Sequence, residues 1–124
     1  MQRRARSGSL AAVADTIFGK IARGELKADV VYQDDRAVAF RDIAPQAPTH
    51  ILVIPRKPIP RLSASAAEDD ALLGHLLSVA RKVASEQGLS DFRLVVNDGA
   101  GAGQTVFHLH VHVLGGRPFS WPPG

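Results

Sequence analysis

The sequence predicts an α+β fold in which helices pack against an antiparallel β-sheet. Several short stretches are apolar, β-branched or strictly alternating, which is typical of strands. Some of the links between them are too short to hold a crossover helix, so neighbouring strands should run antiparallel. One longer stretch carries apolar residues at helical spacing and should cover one face of the sheet. The order of helix, strands, helix and strands fits this arrangement.

Length and charge set the broad class. The chain has 124 residues, enough for one domain with a single modest core. No apolar run approaches the roughly 20 residues that span a bilayer, so we expect no membrane partner. Arg3, Arg4 and Arg6 account for the net charge of +3, because without them Lys and Arg fall from 15 to 12, equal to the 12 acidic residues. This balance argues against a nucleic-acid partner.

The first fourteen residues, Met1 to Ala14, contain three arginines and no acidic residue. We expect a disordered basic tail there, followed by one folded domain over 15–124. A clipped organelle-targeting segment has a similar composition. The expected location is therefore cytoplasmic, or mitochondrial or another organelle if this stretch is the remnant of a transit peptide.

The first half of the domain predicts one short helix and three strands. Asp15 or Thr16 can cap the helix, and Gly24 can end it. The third strand is apolar on both faces and so should be central in the sheet. The strands are expected at residues 30–32, 37–40 and 50–54, with a turn at 34–36 joining the first two.

The second half predicts the long helix and two more strands. Ser65 and Glu68 form a capping-box pattern that should open the helix, and Gly88 should stop it. His75 lies at the edge of the apolar stripe and is expected at the surface. The fourth strand is expected at residues 92–97 and the last at 105–114, joined by a glycine-rich link.

The last strand carries His108, His110 and His112 at every second position, separated by aliphatic residues. Alternation places the three imidazoles on one face, roughly 6.5–7 Å apart along the strand. Because imidazole titrates near neutral pH, one ring can attack or accept a proton while its neighbour donates one. The pattern predicts a transfer site with a nucleophile and a leaving-group acid. A polar sheet face and a metal site remain as alternatives, although the chain has no cysteine to share in metal binding.

Other features can converge on the histidine face. The loop from Asn97 to Thr105 has three glycines at alternate positions, which suits an anion cradle but also a plain flexible turn. Asp42 can accept hydrogen bonds from sugar hydroxyls or can serve as a turn residue. His50 opens the central strand and can support the site. Four apolar residues can wall a slot for a flat ring or can simply be core: Phe18, Ile21, Phe40 and Ile43.

The stretch His108–Leu114 matches the His-x-His-x-His-x-x pattern, with apolar x, of the histidine triad (HIT) superfamily. The flanks resemble its Hint branch, the histidine triad nucleotide-binding proteins, which are purine nucleoside phosphoramidases. The flanking matches lie at 15–21, 42–50, 115–117 and 121–124, and the likeness runs from about Asp15 to Gly124.

This resemblance implies a five-stranded antiparallel sheet with two helices, the HIT-like fold, and a homodimer whose sheets join into one. It implies hydrolysis of adenosine or guanosine phosphoramidates to a nucleoside monophosphate and an amine, with no cofactor and no metal. Carried over, His110 is the nucleophile that forms a nucleotidyl-histidine, and His112 contacts the phosphate and protonates the amine. His108 and His50 orient the pair or relay protons. The nucleotide-binding residues would be Asp42 at the ribose, Phe18, Ile21, Phe40 and Ile43 around the purine, and Asn97, Gly103, Gln104, Thr105 and His112 on the phosphate side.

The departures from the family pattern are few. Thr105 and Phe107 stand where many relatives have Ser and Tyr, while Pro58 and Ser120 each replace a histidine of some relatives. Two other functions stay open. One is a nucleotide-binding regulator with incidental catalysis, and the other is a dinucleoside polyphosphate hydrolase of a sister branch.

Overall fold

The computed structural model describes residues 9–124 and confirms the α+β fold with a five-stranded antiparallel sheet. The helices are α1 (Leu10–Ala14), α2 (Ile17–Ala22) and α3 (Asp70–Glu86); the strands are β1 (Val30–Gln33), β2 (Ala37–Arg41), β3 (Thr49–Pro55), β4 (Phe92–Val95) and β5 (Val111–Gly115). The strand order is β1-β2-β3-β5-β4, so the apolar third strand is central, as predicted.

The predicted disordered tail is wrong over its last part, because Leu10–Ala14 form α1; residues 1–8 lie outside the described residues. The Ser9 side chain caps α1 by accepting from the Ala12 N–H. Val13 is fully buried, so the helix belongs to the folded domain. It crosses α2 closely, since a Cβ on Gly19 would lie 2.5 Å from the carbonyl oxygen of Ala14.

The predicted first helix is confirmed as α2, with Thr16 accepting from the Gly19 N–H and Gly24 at φ 76° just beyond its end. The predicted capping box of the long helix is wrong. The Ser65 hydroxyl donates to the Leu62 carbonyl instead, and the Asp69 carboxylate accepts from the Ala66 N–H. Two short 3₁₀ turns, Leu62–Ala64 and Ala67–Asp69, precede α3 and move its start to Asp70.

The last strand is shorter than predicted, because β5 begins only at Val111. Val53 pairs with Val111, so the residues before Val111 face the last residues of β3 and the chain that follows it. That stretch contains Pro55, Pro58 and Pro60, which have no N–H to continue a ladder. Leu109 instead donates its N–H to the Ile59 carbonyl at 2.7 Å. The fourth strand also ends earlier than predicted, at Val95.

The two faces of the sheet are covered unequally. Helix α3 packs its Leu76, Val79 and Val83 against one face and forms the main core there. Helix α2 covers the β2 and β3 half of the other face, where Phe40, Leu52 and Ile54 lie. The β5 half of that second face carries His112, which is opposite Leu52. The short second helix therefore leaves room for a site beside the central strands.

Among the described residues, no helix combines the length and the apolar character needed to cross a membrane.

Candidate active site

The two ring nitrogens of His110 differ: Nδ1 is hydrogen-bonded, and Nε2 has no hydrogen-bond partner among the described residues. His110 lies just before β5 and is largely buried. Its Nδ1 is 2.8 Å from the carbonyl oxygen of His108. A carbonyl only accepts, so Nδ1 carries the proton and Nε2 keeps its lone pair. Burial lowers the pKa of His110 below its ordinary value, which keeps the lone pair unprotonated.

His112 presents the opposite arrangement. Its Nδ1 lies 2.8 Å from Nε2 of His50, and the Gln46 N–H donates to Nδ1 of His50 at 3.0 Å. Since that backbone donor occupies Nδ1 of His50, neutral His50 carries its proton on Nε2 and donates to His112. Neutral His112 must then carry its own proton on Nε2, which is buried and has no hydrogen-bond partner among the described residues. The site thus holds an N–H donor on Nε2 of His112 beside a lone pair on Nε2 of His110.

The rings of His110 and His112 meet at a centroid distance of 5.0 Å. Burial, followed by the neighbouring His110 and His50, lowers the pKa of His112 to about 4. Burial also lowers the pKa of His50, with the Asp42 carboxylate acting in the opposite direction. All three rings are therefore neutral near pH 7 in the free chain.

The predicted row of three imidazoles on one face is wrong for His108. Only His112 lies in β5, and His108 is fully buried beneath the site, with its Nε2–H donating to the Pro55 carbonyl at 2.8 Å. What it offers to His110 is its backbone carbonyl. The His108 ring is buried because the chain before β5 is not a regular strand, and its Nε2–H is bonded to the carbonyl of Pro55, the last residue of β3.

Asp42 lies at the rim of this cluster. One carboxylate oxygen accepts from the Ala44 N–H, as in a turn, and the other is 3.4 Å from Nε2 of His50. Asp42, His50 and His112 bring donor atoms within 4.8 Å of one another, the only spacing among the described residues that suits a shared metal ion. A metal there would have to displace the proton between the two rings, while the other nitrogen of His50 is occupied by Gln46. The donor set therefore fits a proton relay better than a metal.

The predicted apolar slot divides into two parts. Phe40 and Ile21 are buried in the smaller core. Phe18 bridges this core and the site, with its ring centroid 5.5 Å from Phe40 and 4.9 Å from His110. Ile43 is fully exposed to solvent. Phe18 therefore forms a fixed wall of the slot. The exposed side chain of Ile43 is a second apolar surface that a flat ligand can cover.

The glycine-rich link is ordered by Gln104, and the phosphate contact expected of this residue stays a prediction. Its amide oxygen accepts from the Gly99 N–H at 2.8 Å, and its amide nitrogen donates to the carbonyls of Pro60 and Val106. Its own N–H donates to the Gly99 carbonyl, so Gln104 keeps no free donor. Gly103 at φ 95° lies beside the Asn97 amide, and Thr105 is exposed at the end of the link.

Two contributions to the candidate site could not be predicted from the sequence. One is the backbone N–H of Gln46, which no side-chain pattern marks. The other is the pairing of Arg61 with Asp98, whose carboxylate also accepts from the N–H and hydroxyl of Ser63. Arg61 and Ser63 hold the pKa of Asp98 near 2, so this anchor of the glycine-rich link is charged at all ordinary pH values.

An imidazole lone pair beside an imidazole donor is an arrangement that suits histidine-based transfer chemistry. A sequence model of the HIT domain matches residues 23–119. An uncharacterized HIT-like protein of Synechocystis is 64% identical over 111 residues, which is 89% of this chain and 97% of that protein. The chain belongs to the HIT domain family.

Solved structures agree with this assignment. A HIT family hydrolase from Legionella pneumophila has 49% sequence identity and a TM-score of 0.86, covering 89% of this chain and 100% of that chain. A histidine triad protein from Clostridium difficile has 42% identity and a TM-score of 0.83, covering 86% and 94%. The chain therefore has the fold of HIT family hydrolases.

Proposed function

We propose that this HIT domain is a purine nucleoside phosphoramidase of the Hint branch. It would hydrolyse adenosine or guanosine phosphoramidates to the nucleoside monophosphate and an amine. The observation that carries the proposal is the complementary state of two adjacent rings, with a lone pair on Nε2 of His110 and a proton on Nε2 of His112. Hydrolysis of a P–N bond needs one of each, a nucleophile for phosphorus and an acid for the amine.

In the first step, Nε2 of His110 attacks the α-phosphorus. The P–N bond breaks, its electron pair goes to the leaving nitrogen, and that nitrogen takes the proton from Nε2 of His112. The pKa of His112 is about 4 in the free chain. An anionic phosphate bound beside the ring raises it, because negative charge favours the imidazolium form. On substrate binding His112 therefore takes up a proton from solvent and carries protons on both ring nitrogens, and His50 changes to the tautomer whose Nε2 accepts from Nδ1–H of His112. Once Nε2 has given its proton to the amine, His112 is neutral again, with its remaining proton on Nδ1.

In the second step, water attacks the phosphorus of the nucleotidyl-His110. The bond between phosphorus and Nε2 breaks, its electron pair returns to His110, and His112 takes the proton from water. His50 holds His112 in register through both steps, and His108 does the same for His110 through its carbonyl. Neither step requires a metal or a cofactor.

The remaining contacts follow the shape of a nucleotide. The purine would lie between Phe18 and the exposed Ile43, with Ile21 and Phe40 behind. Asp42 would accept the ribose hydroxyls with the oxygen that faces away from Ala44. Asn97, Gly103 and Thr105 at the ends of the glycine-rich link would contact the phosphate side.

The direct test compares hydrolysis of adenosine phosphoramidate with hydrolysis of a diadenosine polyphosphate. We expect the phosphoramidate to be the better substrate by kcat/KM. Tight AMP binding with negligible turnover of both would favour a regulatory binding protein, and preference for the polyphosphate would favour the sister branch.

The pH dependence of kcat/KM provides a second test. The nucleophile must be neutral, and the pKa of His110 is lowered by burial. The rate should therefore hold from neutral pH down through ~6.5, the ordinary imidazole value, and fall only at lower pH. The measurements should use an activated leaving group, which needs little acid catalysis, so that the fall in rate at low pH reports protonation of the nucleophile. A fall with a midpoint at or above ~6.5 would contradict the assignment.

We also propose that two copies join through β4. This strand lies at the sheet edge, and it and the residue after it expose Phe92, Leu94 and Val96. Sedimentation should give about twice the chain mass of 13.2 kDa. Leu94→Asp should shift the protein to the monomer, whereas Leu77→Asp, at an exposed leucine of α3, should leave the dimer intact. A wild-type monomer at micromolar concentration would remove this proposal.

A further inference from the structure

We propose that the segment after β5, Gly116 and Arg117, is a positioning element that sets the tautomer of His50 and thereby presents the Nε2 proton of His112. It acts through the proline loop, residues 42–48, which joins β2 to β3. The inference rests on the proposed function for the role of His112, but its effect on the histidine rings can be measured without turnover.

The first contact is between the proline loop and His50. The Gln46 N–H donates to Nδ1 of His50 at 3.0 Å. This bond favours the tautomer with the proton on Nε2, because a protonated Nδ1 could not accept it. His50 is 5% exposed, so little water is available to replace the Gln46 donor. The groups that face His50 are Asp42, His112 and, at longer range, His110.

The second contact is between the proline loop and the segment after β5. Arg117 donates to the Gln46 carbonyl at 3.1 Å, which fixes the residue that caps His50. Gly116 lies against Pro48 at φ 93°, and a Cβ there would be 2.8 Å from the Cβ of Pro48. The segment therefore holds the loop at two points, one polar and one by close packing.

Loss of the contact between the proline loop and His50 would change the protonation of His112 in three steps. If the loop moves away, Nδ1 of His50 loses its donor and becomes available for protonation, so the pKa of His50 should rise. His50 then populates the other tautomer, in which Nε2 accepts instead of donating. In the free chain His112 would then turn its proton toward His50, and its Nε2 would carry a lone pair instead of a proton.

The test is ¹⁵N NMR of the imidazole nitrogens, which distinguishes a protonated from an unprotonated Nδ1. In the wild type we expect protonated Nε2 on both His50 and His112. In Arg117→Ala we expect a mixture at both rings and a higher pKa for His50, and Arg117→Lys should restore part of the wild-type pattern. Gly116→Ala, which strains φ and presses on Pro48, should give the same changes by the second contact.

Arg93→Ala is the matched control. Arg93 and Arg117 both stack on Phe119, at 5.0 and 4.3 Å, but Arg93 donates to the Ser120 carbonyl and not to the proline loop. This variant should keep the wild-type tautomers.

The outcomes separate the two proposals. Unchanged ¹⁵N shifts and an unchanged His50 pKa in both Arg117→Ala and Gly116→Ala would overturn the positioning role, whatever the activity. Equal changes in Arg93→Ala would also overturn it, because the effect would then come from Phe119. Shifted tautomers in a protein whose wild type cleaves no phosphoramidate would support the positioning role and remove the proposed function.

Discussion

Replacing His110 by alanine is expected to abolish phosphoramidate hydrolysis while AMP still binds. The Nε2 lone pair of His110 is the attacking group, and loss of a nucleophile that forms a covalent intermediate costs on the order of 10⁴- to 10⁶-fold in kcat. The purine and ribose contacts lie on Phe18, Ile43 and Asp42, so the affinity for AMP should change only a few-fold. Steady-state kinetics and calorimetry measure the two effects.

The control for this variant must separate chemistry from packing, because Phe18 lies edge-on against His110 at 4.9 Å. His110→Gln keeps most of the volume and lacks the nucleophilic nitrogen, so it should be as inactive as alanine. His75→Ala removes a histidine on α3 that bonds Asp34 at 2.6 Å, away from the site, and should retain turnover. Substantial turnover by both His110 variants would take the nucleophile role from this residue.

The second large effect is expected for His112→Ala. Its Nε2–H has no partner among the described residues, and we assign it to the leaving amine. General acid catalysis contributes about 10²- to 10⁴-fold, so kcat for an alkylamine phosphoramidate should fall by that factor. With an activated leaving group that departs without a proton, the loss should be far smaller. The comparison is a plot of log kcat against the pKa of the leaving group.

The slope of that plot decides the role. The wild type should depend weakly on the leaving group, and His112→Ala should depend on it steeply. A uniform loss across all leaving groups would show that His112 only binds the phosphate or supports the site. His50→Ala should resemble His112→Ala more mildly, because it removes the partner that holds Nδ1 of His112.

Much of the fold can be predicted from local sequence patterns. Thr16 and Gly24 bound α2, the turn at 34–36 joins the first two strands, and the run at 50–54, apolar on both faces, lies in the central strand. These signals depend on neighbouring residues, so they can be read before the tertiary structure is known. The histidine spacing likewise predicted that His110 and His112 lie side by side, and their ring centroids are 5.0 Å apart.

The errors arise where a distant part of the chain decides the outcome. Val13 is buried by the domain although its own stretch looks like a tail. Pro55, Pro58 and Pro60 end the ladder that would have held His108 in a strand. The tautomers of His110 and His112 depend on a carbonyl and a backbone N–H, which no residue type reveals.

The central claim is that Nε2 of His110 bonds covalently to phosphorus during turnover. The most direct measurement is rapid acid or base quenching of the protein with excess adenosine phosphoramidate, followed by peptide mass spectrometry. The account predicts an adenylyl group on His110 that forms and decays at rates consistent with kcat. An adduct on His112 or His50, or turnover at full rate with no histidine adduct, would contradict it.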